Sequence, residues 1–227
     1  MTSGPTHPSR STGESWASYR KSIGDRSSLF AALMSGWSPQ RALYPGSYLD
    51  LSPSTAIPAV TYVDTDRRAA RYFANELLVR SELNNRTWPG AGTEVFFVHT
   101  DYTTALPLPE LSFDLLISLY AGPVWEHCGK YLKPGGLLLA NASHGDASIA
   151  ALDSRLQLAA AVLHRDGRYW FDEATDGYLV PKKPHTADPD TIRQSGRGIP
   201  YTRAAFAYLF LRRDPPTADR GVSSGAG

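Results

Sequence analysis

The chain has 227 residues, enough for one domain with a sizeable core. Its hydrophobic fraction of 42% and charged fraction of 20% are those of an ordinary globular protein, and a formal net charge of +1 lacks the basic bias of a dedicated nucleic-acid binder. The single cysteine, Cys128, excludes an intrachain disulfide framework and any multi-cysteine metal site, so a reducing, cytoplasmic setting is expected.

Residues 1–14 have no apolar core of the secretory kind, and residues 214–227 (DPPTADRGVSSGAG) are poor in apolar side chains. A disordered leader and a disordered tail are expected there, with 15–213 forming a single domain. No run approaches the roughly 20 apolar residues of a membrane span. Between 15 and 40, Trp16, Tyr19 and Ile23, then Leu29, Phe30, Leu33, Met34 and Trp37, recur at helical spacing. Gly24-Asp25 breaks the first helix and Ser38-Pro39 ends the second. The two would pack on the sheet or, alternatively, form a lid with Trp16, Tyr19 and Trp37 as its apolar walls.

Alternating strand and helix signals follow. Ala42–Tyr44 and Val60–Asp64 read as strands, Asp66–Leu83 as an amphipathic helix, and Glu94–His99 and Phe113–Leu119 as further strands. Pro123–Leu132 reads as a short helix stopped by Lys133-Pro134-Gly135-Gly136, and Leu137–Ala140 as a strand. Ala147–Leu152 is helical, and Leu156–Leu163 with Arg168–Phe171 reads as a hairpin, helix being the competing reading for its first arm. Residues 180–201 read as a loop with one helical turn, and Ala205–Arg212 as the last strand. Nearly continuous apolar strands separated by helices predict a doubly wound, mostly parallel α/β sheet.

The stretch Arg41–Asp66 carries the strongest functional signal. A strand breaks at Tyr44, a Pro/Gly/Ser turn follows, and a second strand ends on Asp64, 20 positions later. In a doubly wound sheet that spacing puts a carboxylate beside the first strand's loop, where a ribose diol can be held. With VHTDYTTAL at Val98–Leu106, FDLLIS at Phe113–Ser118 and LKPGGLLL at Leu132–Leu139, the chain resembles the class I S-adenosylmethionine-dependent methyltransferases. The resemblance covers roughly Arg41–Ser143 and implies a Rossmann-like fold with N-terminal helices and a C-terminal antiparallel strand.

The family implies S-adenosylmethionine as cofactor and a small-molecule acceptor. Asp64, followed by Thr65, would take the ribose hydroxyls; Asp101 would take the adenine amino group, with Tyr102 beside the ring. Tyr44, Gly46, Ser47 and Asp50 would border the methionine part, and Ser118 and Tyr120 the methyl-transfer position. The departure lies in the glycine loop. Where D/E-x-G-x-G-x-G is usual, this chain has Tyr44-Pro45-Gly46-Ser47-Tyr48-Leu49-Asp50, with only Gly46 on a glycine position. An inactive methyltransferase-like binding protein, or a protein using another adenosyl or nucleotide ligand, are the alternatives this opens.

His144 and His127 follow C-terminal strand ends and are the candidate bases, needed where the acceptor loses a proton. Tyr120 and Trp125 are candidate acceptor-pocket walls. No metal site is expected, because His99, Asp101, His127, His144 and Asp146 include no pair at ligand spacing. The chain has no Gly-x-Ser-x-Gly turn and no phosphate loop. Cys128 reads as structural. Lys182, Lys183 and Arg193–Arg197 make the penultimate loop basic, a solvated segment or an insertion contacting an anionic acceptor.

Overall fold

The computed structural model describes residues 15–84, 86 and 92–213; the expected leader and tail lie outside the described residues. Eight strands of the described residues form one sheet: β1 (Arg41–Pro45), β2 (Ala59–Asp64), β3 (Glu94–His99), β4 (Phe113–Ser118), β5 (Leu132–Ala140), β6 (Leu156–Arg165), β7 (Arg168–Asp172) and β8 (Ala207–Arg212). Their spatial order is β3-β2-β1-β4-β5-β8-β6-β7. The strands from β3 to β5 are parallel, and β8 enters antiparallel between β5 and β6. The doubly wound, mostly parallel sheet with an antiparallel C-terminal strand is therefore as the sequence led us to expect. Its order reverses between β1 and β4, the crevice where ligands of such sheets bind.

Among the described residues seven helices cover the sheet: α1 (Trp16–Ile23), α2 (Ser27–Trp37), α3 (Arg67–Phe73), α4 (Glu76–Asn84), α5 (Val124–Cys128), α6 (Asp146–Leu152) and α7 (Pro189–Ser195). The period-2 alternation of the strands divides the core into two. Ala42, Tyr44, Leu115, Ile117 and Leu139 pack with α1–α4, while Leu43, Leu116, Leu138 and Ala140 pack with α5–α7. Each face excludes water from a full layer of apolar side chains, which is the main drive for this arrangement.

The structure corrects three local expectations. The helix read over Asp66–Leu83 is two, because the Asn75 side chain accepts the Leu78 amide at 3.2 Å and caps a new helix there. Asp66 itself is the cap of α3, accepting the Arg68 amide at 2.6 Å. The LKPGG segment is not a turn before a strand but the opening of β5, with a register shift against Phe113 and Leu115 of β4. A Cβ on Gly136 would lie 2.7 Å from Leu132 Cδ1 and 2.8 Å from Lys133 O, so this irregularity excludes a side chain.

The lid reading of the N-terminal helices also gives way. Trp16, Leu29, Phe30 and Leu33 are fully buried in the core, and Trp37 packs edge-on against Phe171 of β7, with ring centroids 4.7 Å apart. Glu82 of α4 accepts the Trp16 and Ala17 amides at 3.0 Å and so fixes the first turn of α1. These helices are a layer of the fold. Residues 180–201 contain the two-turn α7, capped by Asp188, where one turn was expected. Among the described residues no helix is long and apolar enough to cross a membrane.

Candidate functional site

The loop after β1 turns on Gly46, whose φ is +65°. A Cβ there would meet Ala121 Cβ at 2.8 Å and Tyr102 Cε1 at 3.5 Å, so only glycine lets this loop touch the loop after β4. Asp64, at the end of β2, reaches across to it: Oδ2 accepts the Tyr48 amide at 2.7 Å and Oδ1 the Asp66 amide at 2.8 Å. Half-burial raises the Asp64 pKa by desolvation, against the lowering effect of the Asp66 amide. Thr65 beside it is exposed, and its carbonyl lies 3.0 Å from His99 Nε2. The Ser47 hydroxyl is buried with no protein partner among the described residues.

The positions that depart from the glycine pattern have a common cause. No α-helix follows the β1 loop; the chain turns inward into a buried 3-10 turn, Ser52–Thr55, and Asp50 Oδ1 accepts the Ser52 amide at 3.0 Å. Asp50 is 0% exposed, and its Oδ2 takes Arg26 Nη1 at 3.0 Å and the Tyr44 hydroxyl at 3.3 Å. The carboxylate absent from the end of β1 thus stands six residues later, over the hydroxyl of the tyrosine that replaced it. Burial, followed by the Asp50 charge, pushes the Tyr44 phenol well up. Burial opposes the Arg26 charge, while Tyr44, Asp50 and Tyr120 together outweigh it and raise the Arg26 pKa. Asp50 is fully engaged by protein groups.

Tyr48 takes the second glycine position with a φ of +46°. Its ring packs edge-on against Tyr19 at 4.9 Å and lies under the Arg68 guanidinium at 5.3 Å. Together with Ser15, Ser18 and Leu49 these tyrosines line a cavity of about 220 Å³. Tyr19 is the one proposed lid residue that borders the site.

At the ends of β3, β4 and β5 the candidates separate. Asp101 is exposed, and its Oδ1 accepts from the Thr103 amide at 2.9 Å and hydroxyl at 2.8 Å; the amide contributes most to its lowered pKa. His127 of α5 is close enough to lower it a little further. The Tyr102 hydroxyl accepts the Gly122 amide at 3.0 Å, pinning its ring between the β1 and β4 loops. Ser118 is buried at the end of β4. Tyr120 follows with a φ of +61° and its side chain 49% exposed, its amide donated to Asn141 Oδ1 at 3.3 Å. A left-handed tyrosine costs about 1–2 kcal/mol, and two of them flank this crevice. His144 stands exposed in the loop after β5. Trp125 is buried, its indole donating to Asp153 at 2.8 Å, so it is a core residue and not an exposed wall.

Sequence reasoning missed the part played by four residues. Arg26, 5% exposed, looked like part of a helix break, and nothing local marks it as the partner of Asp50. Asp146 sits in a polar loop in the sequence yet is buried at the start of α6, receiving the Trp125 amide; burial lifts its pKa to about 6, with Ser118 acting against the rise. His164, read as the first residue of the hairpin turn, and Tyr169, read within its second arm, flank that turn and also lie beside Phe206. Among the described residues there is no group of three or more His, Cys, Asp or Glu placed to hold a metal ion.

No protein-family model matches the chain. No curated protein matches it in sequence. Solved structures do. The O-methyltransferase TomG from Streptomyces achromogenes, in complex with S-adenosylmethionine, is 12% identical over 88% of each chain, with a TM-score of 0.48. A methyltransferase from Geobacter sulfurreducens is 16% identical over 65% of this chain and 81% of its own, at 0.44. The O-methyltransferase from Bacillus cereus in complex with S-adenosylhomocysteine is 15% identical over 72% of this chain and 89% of its own, also at 0.44. At such identities and scores the likeness carries no argument; the fold rests on its strand order and the site on its residues.

Proposed function

We propose that this chain is an S-adenosylmethionine-dependent methyltransferase with a small-molecule acceptor. The observation that carries the reading is Asp64, a half-buried carboxylate at the C-terminal end of β2, bonded to the β1 loop at the point where the strand order reverses. A carboxylate so placed accepts the two hydroxyls of a ribose. The surrounding residues fit the cofactor: Gly46 presents bare backbone, the buried Ser47 hydroxyl lacks a protein partner, and Tyr19 and Tyr48 offer aromatic surface beside a cavity.

When bound, S-adenosylmethionine supplies a methyl group activated on a sulfonium sulfur. The protein's part is to hold and orient. Asp64 and Thr65 take the ribose edge, Asp101 and Tyr102 the adenine edge, and the Tyr44–Asp50 loop the amino-acid end. Arg26 and Tyr44 hold Asp50, which fixes the loop from beneath. Tyr120 and Ser118 border the acceptor, and His144 or His127 receives its proton where one is lost.

Calorimetry with S-adenosylhomocysteine tests the reading. Saturable binding is expected, and Asp64→Ala should weaken it at least ten-fold while leaving the thermal unfolding curve cooperative. No heat and no thermal shift at millimolar ligand would overturn it. A second reading, a methyltransferase-like binding protein without turnover, draws support from the Tyr102 ring over Gly46, which narrows the crevice. Binding of the homologue with no transfer to any acceptor would favour that reading.

A further inference from the structure

Four rings follow one another along the C-terminal edge of the sheet, beginning beside the crevice. Tyr120, after β4, lies 6.5 Å from Phe206, the residue before β8, at an interplanar angle of 66°. Phe206 in turn meets Tyr169 at the start of β7 (5.0 Å, 70°) and His164 at the end of β6 (5.7 Å, 61°). His164 and Tyr169 stack face to face at 4.2 Å and 16°. Three separate chain segments supply these rings, the β6–β7 hairpin giving two of them, so no short sequence pattern contains them all.

The row is presented outward. Tyr120 and His164 are exposed, and Phe206 and Tyr169 half-buried. Tyr120 reaches this position only through a left-handed backbone, and its neighbour Ala121 packs against the cofactor-side loop at Gly46. The Arg26 guanidinium lies 4.9 Å from the Tyr120 ring centre and backs it from the buried side. Apart from the stacked His164–Tyr169 pair, neighbouring rings meet at 61–70°, so a planar π system laid face-on to one ring meets the next edge-on, both favoured aromatic geometries.

Building on the methyltransferase reading, we infer that Tyr120, Phe206, Tyr169 and His164 form the acceptor-binding wall and select a planar aromatic acceptor. The wall starts at Tyr120, next to the proposed methyl-transfer position, so an aromatic ring held on it would bring a substituent to the end of β4. His164 and Phe206 are here positioning residues for the acceptor ring.

The test uses the full chain without any methyl donor. Catechol and its saturated counterpart, 1,2-cyclohexanediol, carry the same two hydroxyls and differ in the π face. Saturation-transfer NMR titrations should show saturable binding of catechol and at least five-fold weaker binding of the diol. Phe206→Leu, which keeps apolar volume, and His164→Ala, at an exposed hairpin position, should each weaken catechol about three- to ten-fold. Calorimetric affinity for S-adenosylhomocysteine should stay unchanged in both. Equal binding of the two probes, absence of saturable catechol binding, or variants that bind catechol like the parent protein would overturn the inference. Catechol binding without homologue binding would remove the methyltransferase reading and leave the aromatic wall standing; the reverse result removes the wall alone.

Discussion

Replacing Asp50 with alanine tests the reasoning about the divergent loop most directly. The side chain is fully buried and holds the Arg26 guanidinium, the Tyr44 hydroxyl and the Ser52 amide. Its removal leaves Arg26, itself 5% exposed, as an unpaired buried cation. Breaking a buried pair from one side costs about 3–5 kcal/mol, and a domain of this size holds only ~5–15 kcal/mol in total. At roughly 2–4 °C per kcal/mol the midpoint should fall by about 6–20 °C. Urea unfolding followed by tryptophan fluorescence gives the free energy directly. The double variant Arg26→Met/Asp50→Leu removes both charges and should recover most of the loss, to within ~2 kcal/mol of the parent. A cost below ~1 kcal/mol for Asp50→Ala, or a double variant as unstable as the single one, would refute the idea that this pair anchors the loop.

Asp146 makes stability depend on pH in a defined direction. Its folded pKa, about 6, lies above the unfolded value of 3.8, so the native state keeps a proton that the unfolded chain has lost between these values. Stability therefore falls as pH rises through that window, by about 3 kcal/mol in all. Asp146→Asn should be the more stable protein at pH 7.5 and converge with the parent near pH 4; a parent at least as stable at pH 7.5 would contradict this. Cys128 is buried with its thiol pushed up to about 12, chiefly by desolvation. It should resist iodoacetamide in the native state and react at least a hundred-fold faster in denaturant, as intact-mass measurement would show. The raised pKa of Asp64 predicts that S-adenosylhomocysteine affinity begins to fall on acidification at a higher pH than an unperturbed aspartate would give, because the ribose contact needs the ionised form. A flat calorimetric profile from pH 7 to 4 would argue against that contact.

The sheet was legible because β1, β2 and β4 are buried on both faces and read as apolar runs between turn residues. What escaped was geometry set by single side chains. Asn75 splits a helix that apolar periodicity carries straight through, since periodicity does not register a capping carboxamide. The LKPGG segment has the composition of a turn, but Leu132 pairs with Phe113 of β4 before it and Leu137 with Leu115 after it, which keeps it in the sheet as an irregularity. In the candidate site, Asp64 and Gly46 were visible from spacing. The Arg26–Asp50–Tyr44 cluster was not, because its members come from a helix start, a loop and a strand that only folding brings together. Those same contacts explain why the glycine pattern is broken: Asp50 accepts the first amide of a buried 3-10 turn that starts two residues on, where a glycine would otherwise lead into an α-helix.

The place of β8 has a consequence for how the molecule is made. Of the eight strands it is synthesised last, yet it lies inside the sheet, bonded to β5 on one side and β6 on the other. Until it has left the ribosome, β5 and β6 both present unpaired edges, and the β6–β7 hairpin has no strand joining it to the parallel half. Such open edges are templates for pairing with other chains. During vectorial synthesis the nascent protein must therefore hold two unfinished half-sheets apart from its neighbours, and six residues, Ala207–Arg212, close both at one stroke.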